Sequence, residues 1–367
     1  MFSMTKSFAS LAIGIAYDKG LLNLDDRVIT YFAEELPRNP HDHLASMRLS
    51  HLLTMTTGIH RNTYADLFGQ PNWLKAFLAQ DFPHKPGTYY RYSTHASHML
   101  SAVIERASKQ TLADFLNENM FVPMGITDVQ WECAPEGLVA GGMGLSLRVS
   151  DLVKVAIMLL NRGVYNGQRI ISKEYVSLAT SPQVVKQGEK DEPERYFSGS
   201  EYGYQFHVMP NGAYRADGAF GQLCVLFPEK SVAVIATSQR TKTERFLALV
   251  DNCLLSSGCA KTKGLSSASL NAYLHRLSFL PADKRGGEQK VPVPHNTYKL
   301  EDNALTLQSV HFGDAHVLFE YADGVRDEIE FRIQKPVYGF SHFVKDYNFI
   351  CRSIAYMRTV KRIILSC

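Results

Sequence analysis

The segment MFSMTKSF, residues 1–8, places a serine and a lysine three positions apart at the start of an apolar stretch. On a helix, residues at this spacing lie one turn apart on the same face, so the Lys6 amine can reach the Ser3 hydroxyl. A serine hydroxyl is a poor nucleophile at neutral pH, and a lysine amine serves as its base only when the amine is kept neutral. Ser3 and Lys6 are therefore a candidate nucleophile and base, with an ordinary surface lysine as the alternative.

The residues that follow this pair predict a buried helix. Apolar residues recur at helical spacing from Phe8 onward until Gly20, which can supply a left-handed C-terminal cap. Three further helices are predicted over LSHLLTMTTGI (49–59), HASHMLSAVIERAS (95–108) and SDLVKVAIMLLNRG (150–163). In the last of these, we expect Ser150 to cap the N-terminus and Gly163 to end the helix.

The pattern changes to strands between Tyr202 and Thr237. The runs YGYQFHV, QLCVLF and SVAVIAT are rich in valine, tyrosine and phenylalanine, and TERFLALVDNCLL then returns to a helical pattern. Residues 1–262 thus predict one α+β domain, with an antiparallel sheet flanked by helices and an all-helical region. We expect a linker over 263–290 and a small β-rich C-terminal module over 291–367, where ALTLQSV, HVLFEYA and EIEFRI alternate as short strands.

Composition excludes several classes of function. The formal net charge is +3 over 367 residues, with both signs interspersed, so we expect no nucleic-acid partner. Neither a signal peptide nor a run long enough to span a membrane is visible, which predicts a cytoplasmic location for the chain as written. The spacing of the cysteines favours neither a disulfide scaffold nor a zinc site; they are Cys133, Cys224, Cys253, Cys259, Cys351 and Cys367.

Histidines offer the other candidate metal ligands. His41, His43 and His51 lie close together in sequence, and His95 and His98 share one helix face. Because no H-E-x-x-H motif or cysteine partner accompanies them, solvated or packing histidines are the favoured interpretation. We therefore predict neither a metal nor another cofactor.

Further motifs stand in a fixed order after Ser3 and Lys6. Tyr92-Ser-Thr94 precedes a helix, and Ala216-Asp-Gly218 lies on a predicted strand in YRADGAFGQLCVLFPEKSVAVIAT. Together with LLTMTTGI and the stretch FVPMGITDVQW to GGMGLSLRVSDLVKVAIMLLNRGVYNGQRIIS, this order resembles the serine β-lactamase-related family. That family includes class C β-lactamases, D-Ala-D-Ala carboxypeptidases, esterases and nylon-oligomer hydrolases. The resemblance covers roughly residues 1–260 and implies the β-lactamase/transpeptidase-like fold.

The resemblance implies a role for each matching residue. Ser3 corresponds to the acylated nucleophile, Lys6 to its partner, and Tyr92 to the phenol that carries a proton to and from the leaving group. The backbone N–H groups of Ser3 and Ala219 correspond to the oxyanion hole. We therefore expect acyl transfer through an ester on Ser3, followed by hydrolysis.

Departures from the family pattern bear on the substrate. Thr94 stands where class C enzymes carry asparagine, and Ala216, Asp217 and Gly218 stand where they carry Lys-Thr-Gly, so this substrate-binding strand offers no cation for a β-lactam or peptide carboxylate. Both changes favour a small ester or amide as substrate. Asp217 receives no catalytic role: a turn residue, or a residue that supports the site from behind, is the favoured interpretation, because aspartate before glycine is typical of a turn.

Two residues precede Ser3, whereas relatives normally carry a substantial segment there, so we expect a chain truncated at its N-terminus and less stable for it. The altered motifs also leave open a catalytically silent relative that binds a ligand or partner in the same cleft. A cell-wall peptidase is a third hypothesis and requires export. The sequence does not specify the oligomeric state.

Overall fold

The chain folds into two units, Met1–Thr262 and Lys263–Cys367. The structure is a computed structural model, and it describes residues 1–61, 69–186, 201–209, 211–238, 243–250, 267–276, 296–302, 306–313, 316–330, 337–344, 347–359 and 362–366. Within these ranges, no helix has both the length and the apolar character needed to cross a membrane.

The first unit combines helices with short and long strands. Its helices are α1 (Thr5–Asp18), α2 (Asp42–Ser46), α3 (Leu49–Leu53), α4 (Trp73–Leu78), α5 (Thr94–Ser108), α6 (Leu112–Leu116), α7 (Val149–Leu160), α8 (Lys173–Thr180) and α9 (Thr243–Val250). Its strands are β1 (Gln130–Trp131), β2 (Leu145–Ser146), β3 (Val164–Tyr165), β4 (Gln168–Arg169), β5 (Val184–Val185), β6 (Glu201–Tyr202), β7 (His207–Val208), β8 (Tyr214–Gly218), β9 (Gln222–Phe227) and β10 (Val232–Ala236). Short 3-10 turns span Phe2–Met4, Val28–Tyr31 and Pro228–Lys230, and a π-helical turn spans Asn117–Phe121.

Helix α1 lies in the middle of this unit. Every residue from Thr5 to Ala16 is buried, and the helix packs against α5, α6 and α8. The helix ends where the sequence predicts, because Gly20 adopts the left-handed conformation (φ +68°) and the Leu21 N–H bonds back to the Ala16 carbonyl. The first turn of α1 is thus held firmly inside the core.

Among the described residues, the largest sheet of the first unit has six antiparallel strands in the order β10-β9-β8-β7-β6-β5, and β1-β2 and β3-β4 form two small separate sheets. Strands β8 and β9 form a hairpin in which Gly218 pairs with Gln222, and α7 packs against β9 and β10. The predicted α+β fold, with an antiparallel sheet flanked by helices, is confirmed.

Two helix boundaries differ from the predictions. Helix α3 ends at Leu53 rather than near Gly58, because Met55 already takes a left-handed conformation (φ +61°) that breaks the helix. Ser150 is not the cap of α7, since the helix begins at Val149 with Arg148 in the N-cap position. Ser150 is therefore inside the first turn, where its hydroxyl cannot act as an N-cap.

The second unit contains one described helix and two antiparallel sheets. Helix α10 (Ser267–Arg276) lies within the predicted linker and contains neither glycine nor proline; the rest of 263–290 is outside the described residues. One sheet has the order β11-β12-β13-β14 and the other β15-β16-β17. These strands are β11 (Thr297–Lys299), β12 (Leu307–Phe312), β13 (His316–Tyr321), β14 (Arg326–Glu330), β15 (Val337–Val344), β16 (Tyr347–Thr359) and β17 (Arg362–Ser366).

Candidate active site

Ser3 and Lys6 meet as their spacing predicts. Ser3 is half-buried in the 3-10 turn Phe2–Met4, and Lys6 lies in the first turn of α1, which continues directly from it. The Lys6 Nζ atom is 3.0 Å from the Ser3 Oγ atom. This is hydrogen-bond distance, so the amine can exchange a proton with the hydroxyl.

Lys6 is almost wholly buried, with 1% of its surface exposed, and its other hydrogen-bond partners are neutral. Its Nζ donates to the Gly142 carbonyl at 2.7 Å and to Thr94 Oγ1 at 3.2 Å. Burial lowers the pKa of Lys6 to about 7, and the negative charge of Asp217 opposes that shift. A large fraction of the amine is therefore neutral at physiological pH and free to accept a proton.

Tyr92 completes the group around the serine hydroxyl. Its phenol interacts with the Ser3 side chain, and the Lys6 Nζ atom lies 5.1 Å from the centre of its ring. Burial raises the pKa of Tyr92 well above its usual range. The phenol is therefore protonated at neutral pH, which suits it to donate a proton, and Lys6 is the candidate base.

The start of α5 positions Tyr92 and Thr94. Ser93 caps the helix by accepting a hydrogen bond from the Ala96 N–H, so Tyr92 lies just before the helix and Thr94 is its first residue. Gly142 packs against this end so closely that a Cβ on it would overlap the Thr94 carbonyl oxygen. A glycine is therefore required for Gly142 to bring its carbonyl to Lys6.

Strand β8 borders the serine on the other side. Gly218 lies so close to the Met1 carbonyl that a Cβ on it would collide, so the 3-10 turn carrying Ser3 lies beside the end of β8. Ala219 follows directly, and the oxyanion hole of Ser3 and Ala219 stays a prediction. Asp217 is a strand residue paired with Leu223, so it is not a turn residue, and its interpretation as a residue that supports the site from behind stays a prediction.

The Asp217 carboxylate is held between two basic side chains. Its Oδ1 lies 3.1 Å from His207 Nε2, and its Oδ2 accepts a hydrogen bond from Arg215 Nε at 2.9 Å. Burial works to raise the pKa of Asp217, but His207 and Arg215 hold it well below its ordinary value. Ala216, by contrast, is buried and apolar.

Sequence reasoning missed Gly142, His207 and Arg215 as neighbours of this site. Gly142 lies in the GGMG run, whose two adjacent glycines could have indicated a close backbone approach. His207 is brought near by the pairing of β7 with β8, and no local pattern indicates that pairing.

The paired histidines of α5 lie on its buried side. His98 Nε2 is 2.8 Å from Glu136 Oε1, and the rings of His95 and His98 each meet the Trp73 ring edge-on. Burial lowers the pKa of His95 to about 4, with His98 and Lys6 adding to the shift. Among the residues that the structure describes, no three histidine, cysteine or acidic side chains are grouped as a metal site would need.

The family comparison agrees with this geometry. The beta-lactamase family model matches residues 1–251. The chain belongs to the beta-lactamase family. The resemblance inferred from the motifs is thus confirmed, and the family covers the whole set of Ser3, Lys6, Tyr92 and strand β8.

A curated relative is distantly similar. Protein flp of Staphylococcus aureus is 25% identical over 136 residues, which is 35% of this chain and 27% of that protein. The chain thus spans about a quarter of the length of this relative.

Solved structures share the fold. EstCE1, a hydrolase with promiscuous acyltransferase activity, aligns with a TM-score of 0.57 at 18% identity, over 70% of this chain and 84% of its own. A D-stereospecific amidohydrolase from Streptomyces aligns with a TM-score of 0.53 at 17% identity, over 70% and 86%. Family and fold together support a serine hydrolase in general.

Proposed function

We propose that the chain cleaves a small ester or amide through an acyl-enzyme on Ser3. The observation that carries the proposal is the buried Lys6 amine, 3.0 Å from Ser3 Oγ and surrounded by neutral acceptors. A lysine in this setting can be neutral near pH 7, which is the condition for a lysine to activate a serine.

The proposed acylation step assigns each proton to a residue. Ser3 Oγ attacks the substrate carbonyl carbon as its proton passes to Lys6 Nζ, and the carbonyl oxygen becomes an oxyanion facing the Ser3 and Ala219 N–H groups. The tetrahedral intermediate then collapses, and the leaving alcohol or amine takes a proton from Tyr92, which Lys6 restores. A water molecule then attacks the Ser3 ester in the same way, and the Ser3 hydroxyl leaves as the acid is released.

The Ala216-Asp217-Gly218 triplet supports an uncharged acyl group in the substrate. Ala216 contributes no cation, and the neighbouring Arg215 is already paired with Asp217. An unpaired cation is what binding a substrate carboxylate would require. We expect p-nitrophenyl butyrate to be hydrolysed much faster than nitrocefin, and rapid nitrocefin turnover would contradict this choice of substrate.

Covalent labelling tests the nucleophile directly. Three proteins are incubated with a fluorophosphonate: the parent, Ser3→Ala and Ser46→Ala. Their intact masses are measured by mass spectrometry, and circular dichroism checks that each is folded. Attack by the serine displaces fluoride, so we expect one adduct on the parent and on Ser46→Ala, whose exposed serine lies on α2, and none on Ser3→Ala. A folded parent that never labels would instead favour a silent relative that binds a ligand or partner.

A further inference from the structure

A histidine from a neighbouring strand packs behind Tyr92. The rings of His207 and Tyr92 are nearly parallel, with 26° between their planes and 6.4 Å between their centres. The Tyr202 ring meets the same histidine edge-on at 5.0 Å. Tyr92 therefore lies close to both Lys6 and the His207 ring.

Both nitrogens of this histidine are engaged. Nε2 lies 3.1 Å from Asp217 Oδ1, and Nδ1 lies 2.9 Å from the Nζ of Lys186, which follows β5. Burial lowers the pKa of His207 to about 4, so the ring is neutral at pH 7. A neutral ring with these partners carries its proton on Nε2, donates it to Asp217 and accepts from Lys186 at Nδ1.

The sheet register fixes this arrangement. His207 pairs directly with Arg215 across β7 and β8, and Asp217 lies two residues further on the same face of β8. Arg215 is 3% exposed and holds the second oxygen of the carboxylate. The buried Arg215 charge requires a partner, so this ion pair holds Asp217 in place, and Asp217 holds the His207 ring in turn.

We infer that His207, held between Asp217 and Lys186, is a positioning residue that keeps the Tyr92 phenol directed at Ser3 and Lys6. The inference rests on the proposed hydrolase function for its kinetic consequence. His207 itself acts through Tyr92, so its loss lowers the rate of acyl transfer more than it weakens substrate binding. Misplacing a catalytic group by about 1 Å costs up to about 100-fold in rate.

Kinetics of p-nitrophenyl butyrate hydrolysis test the inference. We expect His207→Ala to lower kcat by roughly 10- to 100-fold with little change in KM, and His207→Gln, which can keep a bond to Asp217, to recover part of it. In a Tyr92→Phe background the same His207→Ala change should have little further effect. An equal loss in both backgrounds, or none in the parent, would overturn the inference.

A matched control separates this effect from a general loss of folding. His43, whose Nδ1 lies 2.7 Å from the Phe82 carbonyl oxygen, is a half-buried histidine on α2. We expect His43→Ala to keep the parent kcat. An equal loss of kcat in His43→Ala and His207→Ala would count against a specific role for His207.

The position of the phenol gives a readout that does not need activity. In a crystal structure of full-length His207→Ala, we expect the Tyr92 hydroxyl to move away from Ser3 Oγ or to occupy two rotamers. If the parent fails to label with fluorophosphonate yet the phenol moves, the hydrolase proposal fails and the positioning role stands. An unmoved phenol would overturn the positioning role.

Discussion

Two ionisable side chains, Lys6 and Glu136, bond to residues of helix α5, and their other hydrogen-bond partners differ. At the first residue of α5, Thr94 accepts a hydrogen bond from Lys6, whose remaining partners are a hydroxyl and a carbonyl. One turn later, His98 bonds to Glu136, which also accepts from the backbone N–H groups of Trp73 and Leu74. Lys6 thus has only neutral hydrogen-bond partners, whereas Glu136 has a titratable partner and two backbone donors.

The pKa values diverge accordingly. Burial lowers the pKa of Lys6 to about 7 and so favours its neutral form. Burial works to raise the pKa of Glu136, but the hydrogen bonds from His98 and the Trp73 backbone lower it to about 2. At Lys6 the effect of burial dominates, whereas at Glu136 the hydrogen bonds together outweigh it. We expect activity to depend on Lys6 and stability to depend on Glu136.

Replacing Lys6 gives the largest expected effect. Lys6→Met keeps the length and apolar stem of the side chain but removes the base, so we expect the rate of fluorophosphonate labelling to fall about 1000-fold. Lys154→Met, which breaks a partly exposed pair with Asp151 on α7, is the control and should label like the parent. A Lys6→Met rate within tenfold of the parent would show that Lys6 is not the base.

Removing the Glu136 carboxylate should lower the stability of the fold and leave the reactivity of Ser3 unchanged. Glu136→Ala leaves His98 and two backbone N–H groups without their acceptor, and we expect about 3 kcal/mol less stability in urea unfolding. Because the folded pKa is lowered, this stabilisation is present above pH 4.5 and declines as the pH falls toward 2. Labelling of Ser3 should be retained; its loss would mean that the two sites are not separable.

The stability of the parent should also report the burial of Lys6. Its folded pKa is below its unfolded value of 10.5, so the unfolded chain binds more protons between pH 7 and 10.5, and stability rises with pH there. From pH 6 to pH 9 the parent should gain about 3 kcal/mol relative to Lys6→Met, measured by urea unfolding of both. Parallel pH dependences of the two proteins would contradict the shifted pKa.

The smallest effect concerns the pH profile of activity. Since Lys6 must be neutral to accept the Ser3 proton, kcat/KM should fall about tenfold per pH unit below pH 7. The Asp217 carboxylate raises the pKa of Lys6, so Asp217→Asn should move this acidic limb to lower pH. A limb that stays in place or moves upward would show that Asp217 does not act on Lys6.

Local patterns predicted much of the fold and part of the site. The spacing of Ser3 and Lys6 needs only one helical turn, and Tyr92 and Thr94 flank a serine cap that a sequence displays directly. The family motifs placed these segments together, and the structure brings all four side chains into one group. Their roles in catalysis stay predictions.

Contacts between distant segments were not accessible in this way. The bond from Lys6 to Gly142 joins residues 136 positions apart, and the bonds of His207 depend on which strands pair. The left-handed conformation of Met55, which ends α3 early, is likewise unexpected, because a residue with a side chain rarely adopts it. Tertiary packing decides such features, and the periodicity of apolar residues in the sequence does not reveal that packing.

The burial of α1 ties the residues around Lys6 to the unfolding of the core. Because the residues from Thr5 to Ala16 are all covered, the backbone amides around Lys6 can exchange their hydrogens with solvent only when the surrounding core opens. Lys6 thus lies in the buried core of the first unit rather than in a loop, and we expect its backbone amide to be among the slowest to exchange. On heating, activity and the folded structure of the first unit should disappear in a single transition.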